Sequence, residues 1–199
     1  MVINLEIKDH LKKYAWDLVN KHDFGSGLKR AGKKMMQFRG ILGECVICDV
    51  MDYPLTTGEK PDGGIDFINR WNVTWDIKTV GRSSLIQPHY HLNYYADQFN
   101  HAADYFLFGS MYKLELLQVC GYIPSRDLLK AGKHYAPFEK SPKDDGTNYV
   151  CPFETIQIIQ KDLIQFKRRL YEIEEIKKGN NYELQQIQCQ ENNHGRLYV

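Results

Sequence analysis

The sequence predicts a single mixed α/β domain in which helices flank a central mixed β-sheet. Apolar residues recur at helical spacing near both ends of the chain, whereas a segment in its middle alternates with a period of two residues. The 199 residues are 43% hydrophobic, which is enough for one sizeable core. A formal net charge of +1 excludes a histone-like polycation and an acidic disordered chain.

The N-terminal region predicts two helices. The first is expected over Asp9–Lys21, because apolar residues there share one helical face and the Gly-Ser-Gly sequence at 25–27 interrupts the pattern. The second is expected over residues 28–51, since its apolar stripe continues to that point and Pro54 lies just beyond it.

After a turn cluster rich in glycine, period-two alternation predicts a pair of strands. The later segments predict a helix, two further strands and a long amphipathic C-terminal helix. In chain order these elements are expected at residues 65–69 and 72–80 (strands), 93–103 (helix), 105–110 and 114–122 (strands) and 155–178 (helix). Residues 1–178 are expected to form one domain, and residues 179–199 a Gln- and Asn-rich tail.

The sequence gives no sign of membrane insertion or secretion. No apolar run approaches the ~20 residues of a membrane helix, and no signal peptide is visible at the N-terminus. The five cysteines are scattered, which argues against a disulfide framework, and the CxxC spacing of Cys45 and Cys48 is interpreted as helix core. We therefore expect an intracellular, cytoplasmic protein that does not bind membranes.

Two acidic residues and a lysine on the predicted strand pair form the most informative pattern. Asp76 and Lys78 are two residues apart, so a strand displays both on one face while their neighbours face the core. A three-residue loop at 70–72 would set Asp66 opposite Asp76, and a loop one residue longer or shorter would make the pair diagonal. Because like charges opposite one another destabilise a sheet, a hard divalent cation is expected beside them.

Glu44 is expected to bring a third carboxylate to this place from the second helix. Gly40 and Gly43 are interpreted as positions where the helix backbone approaches the sheet closely. Each feature alone is typical of ordinary structure, because Asp-x-Lys on a strand is usually a solvated face and an acid beside a Gly-Gly turn usually shapes the turn. The ordered set of a helical Glu, a strand Asp and Asp-x-Lys favours a chemical function.

The ordered residues Glu44, Asp66 and Asp76-Ile77-Lys78 resemble the motif of the PD-(D/E)xK nuclease superfamily. The resemblance covers residues 37–80 and implies a restriction-endonuclease-like α/β core, with a central mixed sheet flanked by helices. Pro61-Asp62 also spells the literal "PD", so Asp62 stays an alternative to Asp66 as the first strand carboxylate.

The resemblance implies a Mg²⁺-dependent nuclease in which Mn²⁺ can substitute. Glu44, Asp66, Asp76 and the main-chain carbonyl of Ile77 would hold the metal, and Lys78 would orient or help deprotonate the attacking water. The expected substrate is DNA, with RNA as an alternative, cut internally or from an end, and a homodimer would suit two-strand cutting. The compact size suits a phage or mobile-element nuclease.

The rival hypotheses are a catalytically silent nucleic-acid-binding or assembly module on the same fold and a paired-carboxylate hydrolase acting on sugars.

The charges along the chain are unevenly distributed. Residues 8–39 include nine basic and three acidic residues, which could contact phosphates or form ordinary solvated helix faces. The tyrosines at 90, 94 and 95 could stack on unpaired bases or pack in the core. The candidates for nucleic-acid contact are Lys29, Arg30, Lys33, Lys34, Arg82, Ser83 and Gln98. Gln98 does not complete the Gln-x-x-x-Tyr motif of some nuclease branches, because Ala102 stands four residues later.

Overall fold

The computed structural model describes residues 1–22, 34–58, 64–95, 103–143, 147–167 and 169–177, and it confirms the predicted mixed α/β class. Its elements in chain order are β1 (Ile3–Glu6), α1 (Asp9–Lys21), α2 (Lys34–Met51), β2 (Phe67–Ile68), β3 (Thr74–Arg82), β4 (His91–Tyr95), β5 (Tyr105–Tyr112), β6 (Leu116–Pro124), α3 (Ser125–Ala131), β7 (Lys133–Tyr135), β8 (Lys140–Pro142), β9 (Asn148–Val150) and β10 (Thr155–Ile159). Two short 3-10 turns follow, at Gln160–Asp162 and Leu170–Glu175.

A five-stranded mixed sheet forms the centre of the fold, in the order β1-β6-β5-β3-β2. β3 and β5 run parallel, and the other neighbouring pairs in this sheet are antiparallel. A smaller antiparallel sheet has the order β4-β10-β7, and β8 pairs with β9 as a hairpin. β5 is buried over nearly its whole length, because it has a strand on each side and a layer on each face.

Alternate side chains of the central sheet enter two separate cores. On one face Trp75 and Ile77 of β3 pack with α1 and α2. Trp75 is fully buried, and its ring stacks on Tyr105 with 4.9 Å between centroids. On the other face Phe106 and Phe108 of β5 pack with the smaller sheet and α3. The even-numbered side chains of β3 therefore lie on the side of the smaller sheet.

Both N-terminal helices were predicted. The first is confirmed, since α1 spans Asp9–Lys21. α2 ends at Met51 as predicted and begins at Lys34, while residues 28–33 lie outside the described part of the chain. None of the helices in the described residues is both long and apolar enough to cross a membrane.

The four cysteines within the described residues are free and buried. Cys45 and Cys48 lie on the core side of α2, with 0% and 2% of their surface exposed. Burial, followed by nearby negative charge, raises the pKa of both thiols to about 12. The interpretation of this CxxC spacing as helix core is confirmed.

The predicted C-terminal helix over residues 155–178 is wrong. This stretch contains strand β10 and the two 3-10 turns instead. Four of the five β10 residues are β-branched, which favours a strand. β10 lies between β4 and β7, so Ile156, Gln157 and Ile158 are all buried and the alternation of a half-buried strand is lost. The predicted tail at 179–199 lies outside the described residues.

The helix predicted over residues 93–103 is also wrong at its start. His91–Tyr95 is strand β4, paired with β10, and residues 96–102 lie outside the described residues. Leu92 and Tyr94 are buried whereas Asn93 is exposed, which is the alternation of a half-buried strand. The core-packing alternative for Tyr94 is confirmed.

The other predicted strands are confirmed with shifted ends. Observed β2, β3, β5 and β6 correspond to the strands predicted at 65–69, 72–80, 105–110 and 114–122. The turn between β5 and β6 contains Lys113 and Leu114 in left-handed conformations, with φ of 50° and 61°. These conformations are incompatible with a strand, so β6 begins only at Leu116.

Candidate active site

The β2–β3 hairpin has the loop that the sequence predicts. Asn69 N donates to Val73 O at 3.0 Å, which leaves residues 70–72 as the three-residue loop. Asn72 there has a φ of 58°, a left-handed conformation that asparagine tolerates well. The pairing of Phe67 with Trp75, continued by one residue, sets Asp66 opposite Asp76.

Asp66 forms two hydrogen bonds with the backbone of β3, the strand that carries Asp76. Its backbone N donates to Trp75 O at 2.8 Å, and its Oδ2 accepts a hydrogen bond of 2.5 Å from Ile77 N. The pKa of Asp66 lies well above its usual range, first because the carboxyl is buried and then because Glu44 and Asp76 carry negative charge nearby. The Ile77 N–H bond and Lys78 oppose this rise in pKa. Glu44, Asp76 and Lys78 therefore all act electrostatically on Asp66.

Asp76 and Lys78 share one face of β3, as the period-two pattern predicts. Lys78 Nζ lies 2.7 Å from Asp76 Oδ1. Only 2% of the Asp76 side chain and 23% of the Lys78 side chain are exposed, so the ion pair is largely shielded from water. Lys78 Nζ also lies 5.7 Å from the centre of the Tyr94 ring. We call Glu44, Asp66, Asp76 and Lys78 the carboxylate–lysine cluster.

Glu44 enters the cluster from α2, which packs directly on β3. A Cβ atom at Gly43 would lie 2.1 Å from Thr79 Oγ1, so only glycine permits this approach of helix and strand. The interpretation of Gly43 as a close-approach position is confirmed. The same interpretation of Gly40 is wrong, because a Cβ built there meets no other element of the described residues within 4 Å. Glu44, half-buried, is the next residue after this contact.

The contact at Gly43 gives a stability prediction with an internal control. Gly43→Ala should lower the free energy of unfolding by about 1–3 kcal/mol, because the added methyl group forces α2 away from β3. Gly40→Ala should raise it by about 0.5–1 kcal/mol, since alanine favours the helix and the space is open. Urea denaturation of the two variants measures both values. A Gly43→Ala protein as stable as the Gly40→Ala protein would contradict the close approach.

Only part of the predicted nucleic-acid contact set can be placed. Arg82 and Ser83 lie at the end of β3 and just beyond it. Lys34 is exposed at the start of α2, where its Nζ donates to Asn20 Oδ1 at 3.1 Å. The candidates Lys29, Arg30, Lys33 and Gln98, and the alternative carboxylate Asp62, lie outside the described residues.

A groove of about 700 Å³ opens beside the end of β3, and we call it the β3–β4 groove. Its walls are the end of β3, strand β4 and the β8–β9 hairpin. Arg82 and Ser83 line it, and so do Lys143 and Tyr149 of the hairpin. No local sequence signal selects Lys143 or Tyr149, because nothing near them in the chain shows that the hairpin folds back beside β3. Arg39 was also missed; its guanidinium occupies the space above Gly81.

The donor chemistry of the cluster fits a hard divalent cation. Carboxylates and a main-chain carbonyl are the oxygen ligands that Mg²⁺ and Mn²⁺ prefer. Burial, and then the charges of Glu44 and Asp76, raise the pKa of Asp66, and a bound cation would favour its ionised form. Within the residues that the structure describes, no group of three His, Cys, Asp or Glu side chains is positioned to hold a metal ion. The metal site with its ligands Glu44, Asp66, Asp76 and Ile77 therefore stays a prediction.

Comparison with known proteins yields no relative that would assign the site. No protein-family model matches the chain, and no curated protein or solved structure matches it either. Any functional conclusion depends on the residues themselves.

Proposed function

We propose that the protein is a Mg²⁺-dependent nuclease of the PD-(D/E)xK type that hydrolyses phosphodiester bonds of DNA. One observation carries the proposal: Asp66 stands opposite Asp76, beside the charge of Glu44, and Asp76 is ion-paired to Lys78. These are the residue types of the motif in its order: Glu44 on a helix, Asp66 directly before β2, and Asp76 and Lys78 on the paired strand β3. The packing of α2 against a mixed sheet favours the restriction-endonuclease-like form of the α/β class.

The residues that would hold Mg²⁺ are Glu44, Asp66, Asp76 and the main-chain carbonyl of Ile77. A bound Mg²⁺ supplies Lewis-acid polarisation of the phosphate and a lowered pKa for a coordinated water. Two hydrogen bonds hold Asp66 to β3, the strand of Asp76: Asp66 N donates to Trp75 O, and Ile77 N donates to Asp66 Oδ2. The β2–β3 hairpin therefore fixes the positions of Asp66 and Asp76. Because these positions are already fixed, the site does not have to reorganise during the reaction.

Lys78 would act on the water and the phosphate. Its ammonium group is held by Asp76 at 2.7 Å on a buried strand, so its charge has a defined position. In hydrolysis the oxygen of water bonds to phosphorus, the bond from phosphorus to the leaving sugar oxygen breaks, and that oxygen takes up a proton. Lys78 would orient the water that loses its proton and would stabilise the charge that develops on the phosphate.

The test is cleavage of labelled DNA during a titration with Mg²⁺ or Mn²⁺. Supercoiled, linear and single-stranded DNA and an RNA of matched sequence serve as substrates, and EDTA serves as the control. We expect cleavage of at least one DNA form that depends on metal and stops with EDTA. The nuclease proposal fails if no nucleic acid is cut and calorimetry detects no metal binding. Binding of DNA without cleavage would favour the silent module.

A further inference from the structure

The β3–β4 groove begins beside the carboxylate–lysine cluster. Thr79, Val80 and Arg82 of β3 line it, and Lys78 is the residue just before them. Since a strand rises about 3.3 Å per residue, Val80 lies only about 7 Å beyond Lys78 on the same face. Tyr94, whose ring lies near Lys78, is buried in the core, and its neighbours Asn93 and Tyr95 line the groove from the opposite face of β4. On the face of β3 that carries Lys78, one end of the groove therefore lies two residues from Lys78, the nearest member of the cluster along the strand.

The groove carries positive charge and hydrogen-bond donors. Arg82 and Lys143 line it, and none of its lining residues in the described chain is an aspartate or a glutamate. Arg82 is held in place, because its guanidinium donates to His91 O and lies 5.1 Å from the centre of the Tyr90 ring. The Ser141 hydroxyl is buried at the wall and has no hydrogen-bond partner among the described residues. Such a surface suits phosphate oxygens.

Three tyrosines line the same groove, namely Tyr90, Tyr95 and Tyr149, and all three are half-buried. The hydroxyls of Tyr95 and Tyr149 form a hydrogen bond. Burial, and then this bond, raises the pKa of Tyr149 to about 12. Two strands and a hairpin thus hold neutral aromatic rings beside fixed cations. A duplex keeps its bases stacked inside, so aromatic rings can stack only on bases that are unpaired.

The size of the groove supports the same conclusion. Its volume of about 700 Å³ lies within the range of about 300–1,000 Å³ for pockets that enclose small ligands. This volume is compatible with a short stretch of one strand lying in the groove. We propose that the β3–β4 groove binds an unpaired DNA strand and guides it to the carboxylate–lysine cluster, so that the enzyme acts on single-stranded or locally opened DNA. This inference rests on the nuclease function proposed above.

Binding without metal tests the groove separately from catalysis. With EDTA present, fluorescence anisotropy compares a labelled thymidine oligonucleotide of about twelve nucleotides with a blunt-ended duplex and with an abasic strand of equal length. We expect the thymidine strand to bind about five-fold or more tightly than either competitor, because the duplex hides its bases and the abasic strand has none. An abasic strand that binds equally well would overturn base stacking, and a duplex that binds equally well would overturn the strand preference.

A charge reversal with a matched control locates the bound strand. Lys143→Glu should weaken binding of the thymidine strand about ten-fold and reduce its salt dependence, because a phosphate contact is lost. Lys140→Glu changes an exposed lysine of the same hairpin that does not line the groove, and it should have little effect. Equal effects of the two variants would overturn the groove site.

The two proposals fail in different ways. Metal-dependent cleavage combined with equal binding of duplex and single strand overturns the groove and leaves the nuclease intact. The expected binding pattern with no cleavage under any metal overturns the nuclease and leaves a groove that binds single strands.

Discussion

Lys78→Arg is expected to abolish metal-dependent cleavage while leaving the protein folded. Arginine keeps a positive charge beside Asp76, so the buried ion pair survives. A guanidinium does not lose its proton in proteins, however, and its planar fork places its donors differently from an ammonium. If Lys78 orients or deprotonates the attacking water, the rate should fall by a factor of about 10²–10⁴. Single-turnover cleavage at saturating Mg²⁺ measures this loss.

Lys78→Ala should lose cleavage too, and also lose stability. It leaves the Asp76 carboxylate, which is only 2% exposed, without its ammonium partner. Removing one partner of a buried ion pair costs about 3–5 kcal/mol. The double variant Asp76→Asn with Lys78→Ala should recover much of that stability in EDTA, because the unpaired charge at residue 76 is removed, and yet stay inactive. Wild-type cleavage rates in both Lys78 variants would exclude Lys78 from the reaction.

Local patterns predicted the parts of the fold that depend on local interactions. The apolar spacing in α1 gave its bounds because α1 presents one buried face to the core. The loop at residues 70–72 and the opposition of Asp66 and Asp76 followed from strand alternation and from a short loop length. These features need no knowledge of distant residues.

The errors concern strands whose environment is set by distant parts of the chain. β10 is buried between β4 and β7, so burial does not alternate along it, and the three-residue spacing of Ile156 and Ile159 fits a helix equally well. The groove was missed for a related reason. Lys143 and Tyr149 become neighbours of Arg82 only through the pairing of the smaller sheet and its hairpin, and no local sequence signal encodes that placement.

Asp66→Asn is expected to stabilise the protein without metal and to remove its response to metal. The Asp66 carboxyl is buried beside the charges of Glu44 and Asp76, so its ionised form is unfavourable. Asparagine removes that charge, and its amide oxygen can still accept the hydrogen bond from Ile77 N. In EDTA near pH 8 the free energy of unfolding should therefore rise by about 1–2 kcal/mol. Asp52→Asn is the control, because it neutralises an exposed aspartate in a left-handed turn that asparagine also accepts.

Thermal unfolding with and without Mg²⁺ measures both halves of this prediction. Wild-type protein should gain about 2.7 kcal/mol when Mg²⁺ is present at a hundred times its Kd, and the Asp66→Asn protein should gain almost nothing. The pH dependence has a defined sign. Because folding raises the pKa of Asp66, the cost of its charge exists above that pKa and disappears as the pH falls through it toward the ordinary value of 3.8. The advantage of asparagine in EDTA should shrink over the same interval. If Asp66→Asn is less stable than wild type in EDTA and still responds fully to Mg²⁺, the carboxylate is a structural group that Mg²⁺ binding does not require.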